Sequence, residues 1–414
     1  MENQLFYPHI RWNFAKKCLL RFTLIFFCLQ ILPLLSYVGD RLYPGIAKSV
    51  FNISEISLET TGSGDMYYNY MELFVCFVIA FAGTIIWSLF NKREKNYDTL
   101  LHYFLIFIRY YLAYSMISYG FAKVFYNQFG APGLERLLQT YGESSPMGIA
   151  WTFIGVSKPY TVFSGLAELL GGILLLTRKT TLAGALVSFA VMFNVMMLNF
   201  CYDVPVKLYS TQLVVLAAII MFCNGHYLWN AIWAHKATVA TINKPLFSKK
   251  WLKITRIIVK GLVVFYLIGF DGYEQYQSVY EVGPGAPKTP LYGIYKSVQI
   301  IKNNDTIPLY TYPHQWKYMV IDYPGYASVK QVNDNQFYMV FNVDTVKKNI
   351  TASLQNDPAH SYVLAYKQVN DSTLNLKGEF AKNNIDFTFH KVDLKSFLLT
   401  NRGFHWVNEY PFNR

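Results

Sequence analysis

Residues 109–125 read RYYLAYSMISYGFAKVF, an apolar stretch with an arginine at its start and a lysine fourteen positions later. At about 100° per residue, Arg109, Ala113, Met116, Gly120 and Lys123 fall in one narrow stripe of a helix. Tyr, Leu, Ile and Phe fill the remaining circumference. Small residues let helices approach closely, and a charge held in lipid costs roughly 3 kcal/mol or more. The stripe is therefore expected to face the interior of a helix bundle.

The rest of the chain is consistent with a membrane setting. Of 414 residues, 53% are hydrophobic, 18% aromatic and only 15% charged, against about 25% charged in ordinary soluble domains. Crossing a bilayer as a helix takes roughly 20 residues. Spans are expected near 19–38, 70–90, 103–123, 160–177, 180–200, 206–224 and 254–272, seven in all. Gln30 and Pro33 interrupt the first, which reads as an uncleaved helix because no small-x-small cleavage pattern follows Tyr37. The five cysteines lie in or beside these spans without a CxxC, which points to packing thiols rather than a disulfide framework or metal site.

The net charge of +12 is concentrated before residue 273. Arg11, Lys16, Lys17, Arg21, Lys92, Arg93, Lys95, Arg178, Lys179, Lys236, Lys244, Lys249, Lys250, Lys253 and Arg256 sort to one side of the expected spans. Arg41, Lys48, Arg136, Lys158 and Lys207 sort to the other. This bias places the N-terminus in the cytoplasm and the C-terminus outside. It accounts for the basic balance without a nucleic-acid partner, and the lipid bilayer is the first partner implied. Residues 124–159 hold short amphipathic and apolar patterns, expected as interfacial helices over the bundle.

A Pro/Gly linker, GPGAPKTP at 283–290, precedes a change of period. IYKSVQII, WKYMVID, SVKQV, QFYMVFNV, SYVLAYKQV, LNLKGEF and IDFTFHKV are short alternating runs separated by NDNQ, QNDPAH, NDST and KNN. Residues 291–414 thus read as an antiparallel all-β domain, a sandwich or a small barrel. Its histidines are scattered and suggest no metal site.

Within the spans, Glu168 sits near the middle of YTVFSGLAELLGGILLLT, with Gly165, Gly171 and Gly172 on its close-packing face. An ionised carboxylate at that depth must be protonated or paired, for instance with Arg109. It is either an interhelical lock or a proton-handling or ligand-binding group. Glu72, Lys123, Asn194, Asn199, Asp203 and Lys207 are expected at one depth near the outer ends, as a polar ligand-binding pocket or, for Asp203 and Lys207, a simple i,i+4 pair.

A helix carrying an arginine and ending in G-x-x-K, followed by GLAELLGG, resembles the DoxX-like family over roughly residues 100–225. Arg109, Gly120, Lys123, Gly165, Glu168, Gly171 and Gly172 match that pattern. The resemblance implies a four-helix core, here preceded by residues 1–99 with two further spans. A cytoplasmic loop and seventh span (226–282) and the extracytoplasmic β domain come after it. Founding members are associated with thiosulfate:quinone oxidoreduction and others with oxidant defence. The expectation is a polytopic helical membrane protein that binds a quinone-like molecule and supports a membrane redox complex. Glu168 and Arg109 would then be its catalytic pair, and any electron donor a separate protein. The alternatives are a non-catalytic anchor that presents the β domain to a periplasmic or membrane protein partner, and small-solute transport.

Overall fold

A computed structural model describes residues 11–59, 61–91, 96–236, 249–380 and 382–413. Lys92, Arg93, Lys95 and Lys244 lie outside the described residues, as do the side chains of Lys253 and Arg256. In chain order the main helices are α1 (Phe14–Ile31), α2 (Ser36–Phe51), α3 (Tyr67–Phe90), α4 (Asp98–Val124), α5 (Leu134–Leu138) and α6 (Pro146–Gly155). They continue with α7 (Lys158–Leu175), α8 (Thr181–Cys201), α9 (Lys207–Cys223), α10 (Gly225–Ile232), α11 (Lys250–Phe265) and α12 (Asp271–Glu281). The strands are β1 (Gly293–Lys302), β2 (Asp305–Ile307), β3 (Trp316–Ile321), β4 (Gly325–Gln331), β5 (Gln336–Asp344), β6 (Asn349–Leu354), β7 (Asp357–Asn370), β8 (Thr373–Phe380) and β9 (Asn383–Lys391). The chain forms two compact units, one of residues 1–128 and 159–277, the other of residues 129–158 and 278–414.

The expected seven-span bundle is not what forms. Among the described residues, α3, α4 and α8 are long and apolar enough to cross a membrane, and α9 is a shorter apolar helix of 17 residues. The expected span 19–38 breaks because Leu32 turns to extended backbone just before Pro33, so α1 stops at Ile31. The next helix, α2, is separate and carries Asp40, Arg41 and Lys48. At 1.5 Å per residue, the 18 residues of α7 extend about 27 Å and include Lys158 and Glu168, short of a core about 30 Å thick. In α11 the last lysine is Lys260, and the helix then runs through a wider turn over Tyr266–Phe270 to Asp271. Only 261–270 is uncharged there, about half of what a crossing requires.

Local signals explain where the helices begin. The Asn13 side chain accepts from the Lys16 N–H at 2.9 Å and starts α1. Ser145 accepts from the Gly148 N–H at 3.1 Å, with Pro146 in the first turn of α6. Within the helical unit Arg21 is a buried side chain rather than a surface charge. Its guanidinium donates to Ser88 Oγ at 2.6 Å, to the Asn91 carbonyl at 3.2 Å and to the Tyr97 hydroxyl, tying α1 to the end of α3 and the start of α4.

In the second unit β1 pairs with β3 through its first residues and with β9 through the rest, so β1 and β3–β9 close an antiparallel barrel with β2 as a short flap on β1. Closure rules out the sandwich alternative. Alternation sends Met319, Val329, Met339, Phe341, Ile350, Ala352, Leu364, Leu376 and Phe389 inward, all almost fully buried. Trp316 stacks on Phe387 with ring centroids 4.8 Å apart. The sequence NITASL, not expected as a strand, supplies β6 through two inward residues, Ile350 and Ala352. Asp357–His360, read as part of a connection, begins β7. Residues 129–158 belong to this unit: Leu134 of α5 packs with Ile294 and Val320 on the outside of the barrel.

Phe389→Ala is expected to destabilise the barrel by about 3–5 kcal/mol, read by hydrogen exchange of β8 and β9 in denaturant. Val363→Ala, on an exposed side chain, should stay within about 0.5 kcal/mol.

Candidate functional site

The stripe on α4 is buried along its length: Ala113 and Met116 are sealed, Gly120 is enclosed, and Arg109 and Lys123 are 8% and 6% exposed. Opposite it on α7, Glu168 is 1% exposed. The Lys123 ammonium donates to both carboxylate oxygens, at 2.8 Å and 2.7 Å. The pair is therefore a charge-assisted, two-pronged contact between elements 45 residues apart.

Glycine makes this approach possible. A Cβ on Gly120 would lie 2.9 Å from the Leu169 nitrogen and 3.0 Å from the Gly165 carbonyl oxygen. One on Gly165 would lie 2.7 Å from the Gly120 carbonyl oxygen and 2.8 Å from Lys123 Cβ. Further along, Gly172 faces Ala113, Met116 and Ile117 of α4, and Gly171 turns toward Ser188 of α8. Residues 165, 168 and 172 share one helix face, so Glu168 is held between two points of backbone contact. α4 and α7 run antiparallel, with Gly120 against Gly165 and Ala113 against Gly172.

That direction corrects the expected Arg109–Glu168 pair. Arg109 precedes Lys123 by fourteen residues, about 21 Å along the helix, and lies toward the opposite end of α7. It donates to Thr181 Oγ1 at 3.1 Å, at the first residue of α8, and its guanidinium lies over the Tyr110 ring at 4.9 Å. Arg178 sits 3.0 Å from His102 Nε2.

The expected outer pocket does not assemble as one site. Lys207 pairs with Asp203 at 2.8 Å and with Asp65 at 3.7 Å, not with the Lys123–Glu168 pair. Asp65 also accepts from the Lys207 and Leu208 N–H groups at 2.8 Å and 3.0 Å, capping α9. Asn199 is buried and donates to the Val206 carbonyl at 3.4 Å, whereas Asn194, five residues earlier, is exposed on another face of α8. Glu72 is half-buried on α3, within electrostatic reach of Tyr43, Tyr68 and Cys76.

Several contributors carry no sequence signal of a site. The Lys123 ammonium lies 5.5 Å from the centre of the Tyr119 ring, and Tyr119 in turn neighbours Tyr209. The Tyr209 hydroxyl donates to Ser115 Oγ at 2.8 Å, and Ser115 donates to the Tyr111 carbonyl. In a chain with 33 tyrosines, none of these stands out. Asp65 could have been suspected, since an aspartate is a preferred helix cap. However, it caps α9 from 142 residues away. Among the described residues no group of three or more His, Cys, Asp or Glu side chains is placed to hold a metal ion.

Comparison with known proteins finds a relative in Bacillus subtilis (strain 168), named uncharacterized protein YwoB. It is 35% identical over 118 residues, which cover 28% of this chain and 73% of the relative. The chain belongs to the YwoB family. No family model and no solved structure matches. The name YwoB carries no chemistry, so the site of this YwoB-family chain is interpreted from its geometry.

Glu168→Ala removes the counter-charge of a buried ammonium and is expected to cost about 3–5 kcal/mol, seen as a lower midpoint of thermal unfolding in detergent. Replacing Lys123 and Glu168 together by Met should recover most of that loss. Gly165→Ala should lower the same midpoint because its Cβ would meet the Gly120 carbonyl, while Gly45→Ala, in open space, should not.

Proposed function

We propose that this YwoB-family chain is a DoxX-like membrane protein whose helical unit binds a lipophilic quinone-like molecule beside the Lys123–Glu168 pair. In this role it supports a membrane redox process. The observation that carries the reading is the buried, doubly hydrogen-bonded ammonium–carboxylate pair, flanked by the Tyr119 ring. Ionisable groups at such depth are functional candidates by default. The ammonium can donate a hydrogen bond to a quinone oxygen, and the carboxylate can accept or return the proton that accompanies its reduction or oxidation. Arg109, near the middle of α4 and bonded to Thr181, has no part in that exchange. As the DoxX-like resemblance implies, the membrane is the inner membrane of a bacterium.

A second reading treats the helical unit as an anchor and the barrel unit as the part that meets a protein partner. It is favoured by a groove of about 1020 Å³ on the barrel unit.

Glu168→Gln keeps the shape of the carboxyl group but removes its charge and its ability to accept the proton. Membranes carrying this variant should lose binding of a short-chain quinone by at least about tenfold, about 1.4 kcal/mol, and should show reduced quinol-linked oxygen uptake. Unchanged binding and uptake would favour the anchor.

A further inference from the structure

The barrel interior is filled, so any ligand of this unit has to be met on its outer wall. The groove there lies between α5 with the turn after it and the surface of β3, β4 and β5. Tyr326 and Tyr338 are diagonal neighbours on that surface, because Ser328 pairs with Tyr338 and Tyr326 with Val340. Tyr323 enters from the β3–β4 turn, and all three rings are well exposed.

The charges in the groove are not balanced. Lys330 is held by Glu143 at 3.5 Å and by Asp334 at 3.6 Å. Arg136 is turned to Gln139 and to Ser144, the latter at 3.2 Å, with its guanidinium against Gly148. Both cations of the lining are thus engaged within the unit. Among the described residues, Glu135 takes only a long hydrogen bond from the Tyr338 hydroxyl, at 3.4 Å. Asp322 uses one oxygen to accept from the Leu134 N–H at 2.9 Å.

These two carboxylates act on each other and on Tyr323. Burial pushes the Asp322 carboxyl up, the Leu134 N–H pulls it down, the Glu135 charge adds to the rise, and Lys288 opposes it. Two negative groups close together, beside exposed aromatic faces, share no ion-pair partner among the described residues, and Lys288 offsets Asp322 only in part.

We infer that this groove binds an extended polypeptide segment through a lysine or arginine side chain, seated on the Tyr323 and Tyr338 rings with Glu135 and Asp322 as counter-charges. An aromatic face attracts a cation, and a carboxylate gives it a charge-assisted hydrogen bond. A volume of about 1020 Å³ is at the upper end of the roughly 300–1000 Å³ of small-molecule pockets, which leaves room for flanking residues. Gln336 and Gln355 line the same groove and offer amide donors and acceptors that match a peptide backbone. A neutral glycan would use the rings but has no need of the unbalanced charge. The inference stands independently of the quinone reading, since it concerns only the barrel unit.

The test uses the full chain in mild detergent and fluorescence anisotropy with three labelled probes. These are a nonapeptide with two lysines among Ala, Ser and Leu, its twin with glutamates in place of the lysines, and a chitotetraose. The lysine peptide should bind, the acidic twin should bind at least about tenfold more weakly, and raising the salt from low to high should weaken the lysine peptide. Glu135→Gln and Tyr323→Ala should each weaken it by about 3- to 30-fold, and Tyr323→Phe, which keeps the ring face, should restore it. Hydrogen exchange of the barrel strands checks that each variant is folded, and the acidic-twin and salt arms decide the matter on the native chain if one is not. Four results would overturn the inference: no binding of the lysine peptide at millimolar concentration, equal binding of the acidic twin, binding of the glycan in preference to the peptide, or unchanged binding by folded Glu135→Gln and Tyr323→Ala.

Discussion

The contact between the Lys123 ammonium and the Glu168 carboxylate is the constraint around which the helical unit is organised. Neither group can be withdrawn from water alone, because the desolvation of a single buried ion outweighs what packing returns. Their meeting requires the two helix backbones to come close enough for a lysine to reach both carboxylate oxygens. Gly120 and Gly165 satisfy that requirement, since a Cβ at either position would overlap backbone atoms of the opposite helix. Charge, small residues and helix direction are therefore a single structural solution. The ion pair that results is buried, doubly bonded and bordered by the Tyr119 ring.

The barrel unit solves a different problem. Closing β1 against β9 removes the exposed strand edges that an open sheet would present. Its interior is then filled by large side chains such as Phe341, Phe387 and Phe389, and recognition moves to the outer wall. There α5 covers Ile294 and Val320 with Leu134, while the adjoining surface keeps its tyrosines and carboxylates available. The segment that supplies α5 lies between α4 and α7 in sequence, so one chain excursion both completes the packing of the barrel wall and forms one side of the groove.

Much of the helical site can be read from residue order. The stripe of Arg109, Ala113, Met116, Gly120 and Lys123 is a matter of period, as is the common face of Gly165, Glu168 and Gly172. The number of membrane-length helices cannot be read as safely from apolar runs. A hydropathy window passes over Pro33, where the chain leaves the helix, and adds residues of α1 and α2 into one apparent span. It also merges the apolar end of α11 with the wider turn at Tyr266–Phe270, without registering how closely Lys260 and Asp271 bracket the two. In the barrel, β6 is hidden because Ile350 and Ala352 provide most of its inward face, too little for an alternating pattern to stand out.

The order of residues was sufficient to establish that certain charges must be buried, which helix faces they occupy, and that residues after the Pro/Gly linker alternate as strands. These conclusions rest on local periodicity and on the cost of burying charge. Tertiary structure alone decided that Glu168 meets Lys123 rather than Arg109, that Asp65 caps α9, and that β9 returns to β1. Each of those outcomes depends on the direction and register of elements tens of residues apart. Both are set by how whole surfaces pack, not by any neighbouring residue.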